Sequence, residues 1–428
     1  MTTAAVVAAL IVLIGVRLPI ALAGGTLVLV AVGVIEPKLF PLLFLNHVSS
    51  YTLLAIPMYL LAGAIMTKAG LGFRIFAFAQ TLLRGIPGSL GHVSLGATLF
   101  MAGMSGSSAA DVGAVGSTAL PAAERLGYRK DFIAGIVAAG GTLGILIPPS
   151  LTMILYGAIT NTSVVLLFTA GILPAVVLSL LLFAMVSYLA PKRSGLRRGL
   201  PLESQVTSEP YFPALAAAFW SAFLSLLTPL IVLGGIYSGV VTPTEAGALA
   251  VVYTILVGVL HRSLGWRDMW EACRFTGHVT TMLFVIIAAA SVFGQAMTLE
   301  GIPDRITDFM VGSFGGSTIV FLLMVNLLFF ILGMILESFS IMVMMIPLLY
   351  PTAVALGVHP VHFAVIVTVN IELGLLTPPY GTNLFTVAAI SGLTIWDSAK
   401  AAAPYLAVMI VGLLVITYWP WLSLALIR

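Results

Sequence analysis

Leu143-Gly144-Ile145-Leu146-Ile147-Pro148-Pro149-Ser150 and Glu372-Leu373-Gly374-Leu375-Leu376-Thr377-Pro378-Pro379-Tyr380-Gly381-Thr382-Asn383 decide how this chain folds. Each stretch interrupts a long apolar run with two adjacent prolines. Paired prolines remove two backbone donors and cannot sit inside a regular helix. Gly140 and Gly141 precede the first pair by less than three turns, together with Gly144. The pattern predicts two helices broken at their centres, over 132–159 and 363–389.

The composition says which solvent surrounds those breaks. Of 428 residues, 60% are hydrophobic and 8% charged, where a soluble domain carries roughly 25% charged residues. So little charge cannot cover a water-facing surface, and lipid is the expected solvent. Apolar stretches near 4–16, 19–35, 52–66, 164–189, 217–237, 246–260, 278–297 and 404–419 read as spans. With the two broken helices they predict about 10 transmembrane helices. The stretch Ile75–Leu83 is too short to cross and reads as an amphipathic helix in the interface. Net charge is +3 and the basic residues fall in short clusters between apolar runs, the pattern of cytoplasmic loops rather than of a nucleic-acid surface. Cys273 is the single cysteine, which excludes a disulfide framework or a thiolate metal site. No phosphate-cradling Gly-rich Lys motif is present, which sets aside an ATP-driven pump.

Two further segments are apolar yet unsuited to crossing. Residues 91–121 are rich in Gly, Ser and Ala, preceded by Arg84 and followed by Arg125, Arg129 and Lys130. Basic residues at both ends predict a re-entrant hairpin that enters and leaves on one side; such backbone is tolerated at depth when it is buried in protein or lines a cavity. A second hairpin is expected over 317–350, flanked by Asp304 and Asp308. These pairs are related: shifting the chain by 230 residues places Gly103-Met104 on Gly333-Met334, Ser108 on Ser338 and Pro148-Pro149 on Pro378-Pro379. Fifteen of the 47 positions from 103 to 149 are identical to their images, a self-similarity that defines a repeat. Five crossings precede the polar segment ending near residue 208, so the second half starts from the opposite side. The reading is an all-α polytopic protein of two inverted repeats, 1–208 and 209–428, with both termini outside.

Inverted repeats with broken helices mark secondary transporters, whose ligands sit where unwound backbone exposes carbonyls and helix ends. The first hairpin tip carries Ser105, Ser107, Ser108 and Asp111. The second carries Glu337, Ser338 and Ser340. The first break carries Thr142, Gly144, Ile147 and Pro149; the second carries Asn370, Gly374, Thr377, Pro379, Tyr380 and Asn383. Small residues alone would also serve close packing, but an ionisable residue at depth such as Asp111 or Glu337 points to function. Glu337 near the outer surface would instead be merely solvated. Repeat symmetry predicts two sodium sites built from Ser105, Ser107, Gly144, Ile147, Pro149, Glu337, Ser338, Gly374, Thr377 and Pro379. Oxygen ligands without charge clusters suit sodium better than a divalent ion. Ser108, Asp111, Thr142, Ser340, Asn370, Tyr380 and Asn383 are the expected substrate residues. Away from these, Thr244 is expected to cap the helix that begins near Ala246.

The segments Gly103–Asp111, Leu143–Ser150, Thr242–Ala248 and Glu372–Asn383 together resemble the large membrane subunit of tripartite ATP-independent periplasmic transporters, over essentially the whole chain. That resemblance implies an elevator-type ion transporter fold in a bacterial inner membrane, with a fixed scaffold and a mobile domain holding both hairpins and both breaks. It also implies sodium as coupling ion with no other cofactor, and organic acid substrates of dicarboxylate, keto acid or sialic acid type. The implied partners are a small four-helix membrane subunit, expected here as a separate chain, and a periplasmic substrate-binding protein. The alternatives are a self-sufficient sodium/anion carrier of related fold and, from another class, a channel. An enzyme is disfavoured, because no nucleophile–base pair or metal set appears.

Overall fold

A computed structural model of the protein describes residues 49–83, 88–193 and 210–427. The expected spans at 4–16 and 19–35 and the boundary at residue 208 lie outside the described residues. Everything described is helix or connection. In chain order the helices are α1 (Ala55–Lys68), α2 (Leu71–Leu82), α3 (Ser89–Ser105), α4 (Ser108–Arg125), α5 (Lys130–Thr142), α6 (Leu151–Thr160), α7 (Val164–Arg193) and α8 (Tyr211–Tyr237). They continue as α9 (Pro243–Leu260), α10 (Trp266–Leu299), α11 (Ile302–Phe314), α12 (Thr318–Gly333), α13 (Ser338–Ala355), α14 (Pro360–Gly374), α15 (Thr382–Ser391), α16 (Ile395–Tyr418) and the short α17 (Trp421–Leu424). Seven described helical segments are long and apolar enough to cross a membrane.

Both interruptions fall where the prolines demand them. The first helix stops at Thr142, passes a 3-10 turn at Leu143–Ile145, and resumes at Leu151. Ser150 restarts it by accepting the Met153 N–H at 3.2 Å, an N-cap bond that satisfies one orphan donor. The second helix stops at Gly374 and resumes at Thr382. Both Pro-Pro bonds are cis. The hairpins turn at Gly106-Ser107 and over 334–337. Gly106 has φ +61°, a left-handed conformation that costs glycine little. One of the seven span-like segments, α13, is therefore the returning arm of a hairpin.

Burial sorts the helices into core and periphery. Every residue of α14 from Val361 to Gly374 is buried, and so is α5 from Phe132 to Thr142. The two broken helices therefore form the centre of the bundle. Among the described residues, the 27 residues of α8 bury only Ala222, Ser225, Thr228, Val232 and Ile236, leaving most of its apolar surface on the outside of the described bundle. All six tryptophans are exposed, from Trp419 at 56% to Trp266 at 84%. Most stand at helix ends, the position of interfacial anchors. Inside, Tyr156 donates to the Pro360 carbonyl at 2.7 Å and Tyr59 to the Pro243 carbonyl at 2.8 Å. Each large ring thus fills the core while its hydroxyl holds the start of a distant helix.

Three local expectations change. The cap of α9 is Thr242, not Thr244: Thr242 accepts the Glu245 N–H at 3.2 Å and Glu245 accepts the Thr242 N–H at 2.7 Å. Pro243 occupies the first helical position, which moves the cap one residue ahead of it. Thr244 instead donates to the Tyr51 carbonyl at 3.3 Å. The interfacial helix α2 runs over Leu71–Leu82 rather than starting at Ile75. Asp304 and Asp308 lie within a helix, α11, the image of α2 at the 230-residue offset.

At the second break the chain crosses itself at two glycines. A Cβ on Gly374 would collide with the Gly333 backbone, and one on Gly333 would lie 2.8 Å from the Ile371 carbonyl. Gly374→Ala is expected to cost about 1–3 kcal/mol, because backbone cannot yield as a side chain can. Gly113→Ala, whose methyl would meet only Thr386 Cγ2 at 3.8 Å, should be neutral or stabilising. Thermal unfolding of the two variants in detergent checks the contrast. Removing the α9 cap with Thr242→Ala should cost about 1 kcal/mol in the same assay.

Candidate functional site

The four interruptions meet. Pro149 of the first break presses on the first hairpin tip: a Cβ on Gly106 would lie 2.9 Å from its carbonyl oxygen. At the second tip, the Tyr380 N–H donates to the Met334 carbonyl at 3.0 Å. The halves are also joined crosswise, since Asn383 Nδ2, just past the second break, donates to Ser108 Oγ of the first hairpin at 2.6 Å. Helices α4, α13, α6 and α15 all begin at these tips and breaks. Their N-termini bring partial positive charge to one region.

Three carboxylates occupy that region. Asp111 is fully buried on the first turn of α4 and accepts the Ser105 hydroxyl at 2.6 Å. Its Oδ2 has no hydrogen-bond partner. It lies over Gly144, where a Cβ would come within 2.5 Å of it. Glu372 is 2% exposed and accepts the Ser338 hydroxyl at 3.2 Å through Oε1, while its Oε2 has no partner. Ser108 also interacts with Glu372, as do the charges of Asp111 and Glu337. Ser108 and Ser338 are repeat images, so Glu372 lies between equivalent serines of both hairpins. Glu337 sits at the N-cap position of α13 with its Oε2 enclosed and unpartnered. Among the described residues, every ion pair lies elsewhere: Lys68–Glu271, Arg129–Asp131, Lys130–Glu124 and Arg267–Glu271. The three carboxylates have hydroxyls and helix ends around them but no cationic side chain.

The predicted residues divide by place. Ser105, Ser107, Ser108, Asp111, Gly144 and Pro149 meet at the first tip and break. The Ser107 N–H donates to Ser105 Oγ at 3.1 Å, which rounds the tip inward. Ile147 is half-buried beside it, 3.6 Å from the position a Gly103 Cβ would take. Glu337, Ser338, Gly374 and Thr377 meet at the second, with Ser340 buried one turn into α13. The Gly374 and Thr377 carbonyls already accept the Thr377 and Gly381 N–H groups at 2.9 and 3.2 Å; each keeps a second lone pair. Pro379 and Tyr380 are exposed, so the second break opens outward where the first is buried. Two residues point away. The Thr142 hydroxyl donates to the Ala139 carbonyl at 2.6 Å and faces Met409 of α16. Asn370 donates to Asn326 Oδ1 at 2.8 Å, and Asn326 to Thr417 at 3.1 Å, a buried chain tying α14 to α12 and α16.

Glu372 was absent from the expected set although its signal was legible. It is an ionisable residue inside an apolar run, two positions before the glycine that ends α14. What hid it was its partners: Ser338 and Ser108 lie 34 and 264 residues away, and nothing local announces either contact.

Comparison with known proteins gives this geometry a context. The YdaH transporter of Alcanivorax borkumensis has the same fold, with a TM-score of 0.64 over 88% of this chain and 87% of that one, at 12% identity. The C4-dicarboxylate TRAP transporter large permease protein DctM of Pseudomonas aeruginosa is 41% identical over 377 residues, covering 88% of this chain and 86% of that protein. The sialic acid TRAP transporter large permease protein SiaM of Vibrio cholerae is 35% identical over 383 residues, 89% and 87% of the two chains. Residues 2–422 match the family described as the DctM component of the tripartite ATP-independent periplasmic transporter. A polytopic bundle whose hairpins close on two broken helices, with these relatives along most of its length, belongs to that family: the chain is a DctM-type large permease.

Proposed function

We propose that this permease couples the inward movement of sodium to the import of an organic acid handed over by a periplasmic binding protein. The observation that carries the reading is the set of three carboxylates without a cationic partner, the buried Asp111 and Glu372 and the half-buried Glu337 with its enclosed Oε2. Uncompensated charge at depth is costly, and an organic anion arriving beside Asp111, Glu337 and Glu372 would be repelled. Bound cations remove both problems at once, so cation and anion favour each other's binding. That mutual favour is the thermodynamic content of coupling.

In this reading each hairpin tip and its facing break hold one sodium ion. Ser105, Ser107, Gly144, Ile147 and Pro149 serve the first, with Asp111 as the charged group. Ser338, Gly374, Thr377 and Pro379 serve the second, with Glu337 and Glu372 nearby. The substrate carboxylate then sits near the N-termini of α4 and α15 by Ser108 and Asn383, with the exposed Tyr380 at the mouth. Hard oxygen donors and few charges suit a monovalent ion. The chain is a multi-pass membrane protein; we place it in a bacterial inner membrane, as inverted halves 1–208 and 209–428 with both termini periplasmic. Its small membrane subunit is proposed to be a separate four-helix chain, and its movement an elevator.

The acid itself is to be found through the partner binding protein, by a thermal-shift screen of organic acids. Uptake of that acid by the reconstituted three-part system should collapse when choline replaces sodium at constant pH, and unchanged uptake would sink the coupling. Asp111→Asn, Glu337→Gln and Glu372→Gln should each raise the sodium concentration for half-maximal uptake about tenfold, equivalent to roughly 1.4 kcal/mol of ion binding. Wild-type sodium dependence in all three would remove the carboxylates from the mechanism.

A further inference from the structure

Two aromatic rings stand at the second break. Tyr380 and Phe385 are 47% and 41% exposed, with ring centroids 5.8 Å apart and planes at 50°. The backbone beneath them is fixed. The Tyr380 N–H is held by the Met334 carbonyl of the second tip, and the Phe385 N–H donates to the Gly381 carbonyl at 3.1 Å. Ile335, next to Met334, is 46% exposed. Helix α4 packs beside α15, with Ala110 exposed on its first turn.

The fold does not ask for these rings. At the 230-residue offset their images are Ser150 and Leu155, both fully buried, and Ser150 caps α6. At the second break the capping side chain is replaced by Tyr380, and α15 starts without a side-chain cap. Helix α4 also starts without one. Two neighbouring helices therefore present orphan N–H groups next to a pair of exposed rings.

These groups suit one carboxylate, and Thr382 at the first position of α15 adds a hydroxyl. They do not suit a second. No lysine or arginine occurs in 85–124, 131–191 or 306–399, the segments that build both hairpins and both breaks. The Thr377 and Thr386 hydroxyls are turned back on the Leu373 and Thr382 carbonyls at 3.1 and 2.9 Å. Beyond the Tyr380 hydroxyl, the surface around the rings is ring face and aliphatic carbon. The face of an aromatic ring is negative and repels a carboxylate, whereas another ring stacks on it favourably. Sugar hydroxyls pressed against carbon would lose their hydrogen bonds to water.

We propose that the acid passed by this permease carries a single carboxylate on a flat aromatic body. The carboxylate lies at the starts of α4 and α15, and the ring fills the corner between Tyr380 and Phe385. The proposal rests on the reading of the chain as an organic-acid permease. It keeps keto acids that bear an aryl group and excludes dicarboxylates and sialic acids.

The test measures acids on the permease itself, with its small subunit in lipid nanodiscs and no binding protein, by ligand-induced shifts in thermal unfolding. The probes are phenylpyruvate, pyruvate, succinate and N-acetylneuraminate, each in sodium and again in choline. In sodium, phenylpyruvate should bind about tenfold more tightly than any of the other three. Tyr380→Leu and Phe385→Leu should each remove most of that margin and leave pyruvate binding within about twofold of wild type. Tyr380→Phe, which keeps the ring and loses the hydroxyl, should preserve it. Succinate or N-acetylneuraminate bound as tightly as phenylpyruvate overturns the proposal, as does a margin unchanged in both leucine variants or lost in Tyr380→Phe. So does the absence of a shift with all four acids. If Tyr380→Leu disturbs folding, Phe385→Leu and Tyr380→Phe decide alone. A margin that depends on both rings but is the same in choline as in sodium would refute the sodium coupling and uphold the aromatic acid.

Discussion

A helix broken inside a membrane leaves peptide groups that lipid cannot satisfy, and the rest of this structure is arranged around that constraint. Each break is met by a hairpin tip that reaches the same depth. The meeting is close enough to require glycine on both sides at the second break, where Gly333 and Gly374 touch backbone to backbone. At the first, Gly106 turns under the Pro149 carbonyl. The second tip also supplies a bond outright, from the Tyr380 N–H to Met334. Neither hairpin nor broken helix is a sensible structure alone; each supplies the protein surface that makes the other tolerable at depth.

That mutual dependence explains what the sequence made legible. Paired prolines, turn glycines and basic flanks act locally, so both breaks and both hairpins could be placed within a few residues of their observed bounds. The Thr242 cap was misplaced by two residues because Pro243 and Thr244 both suit a helix start, and only the reciprocal Glu245 bond separates them. Helix α11 was read as an acidic flank, although its image α2 had been recognised as a short interfacial helix. The repeat is weak outside 103–149, where packing rather than turn chemistry chooses the residues. Asn370 shows the other limit. Its place in a polar stretch suggested a ligand, whereas its amide is used by Asn326, a partner 44 residues earlier in an unremarkable apolar run.

The two halves share a backbone plan but not a charge plan. At the first tip the carboxylate comes from the hairpin, as Asp111, and its image is Ile341. At the second break it comes from the broken helix, as Glu372, and its image is Thr142. Thr142 turns its hydroxyl back to Ala139, so the first break contributes carbonyls and no side-chain charge. Glu337 adds a third carboxylate where its image is Ser107. Symmetry would give two identical tips; these substitutions give two tips of different charge, with Glu372 placed between Ser108 and Ser338.

Sharing a carboxylate has a physical consequence that two isolated sites would lack. Ser108 starts α4 and Ser338 starts α13, so Glu372 lies where the positive ends of two helices from different halves converge. Its charge is attractive to both helix ends and repulsive to Asp111 and Glu337. A cation placed at either tip changes the balance felt at the other through Glu372, without any rearrangement of backbone. The same carboxylate also faces both hairpins through Ser338 and Ser108, and Asn383 ties the second broken helix to the first hairpin at Ser108. Under the proposed coupling, cation occupancy at the tips and cohesion of the four central elements are therefore one electrostatic problem. If cations bind there as proposed, a cluster held together by its ions would move as a unit only when those ions are aboard, which is the condition a coupled transporter must impose.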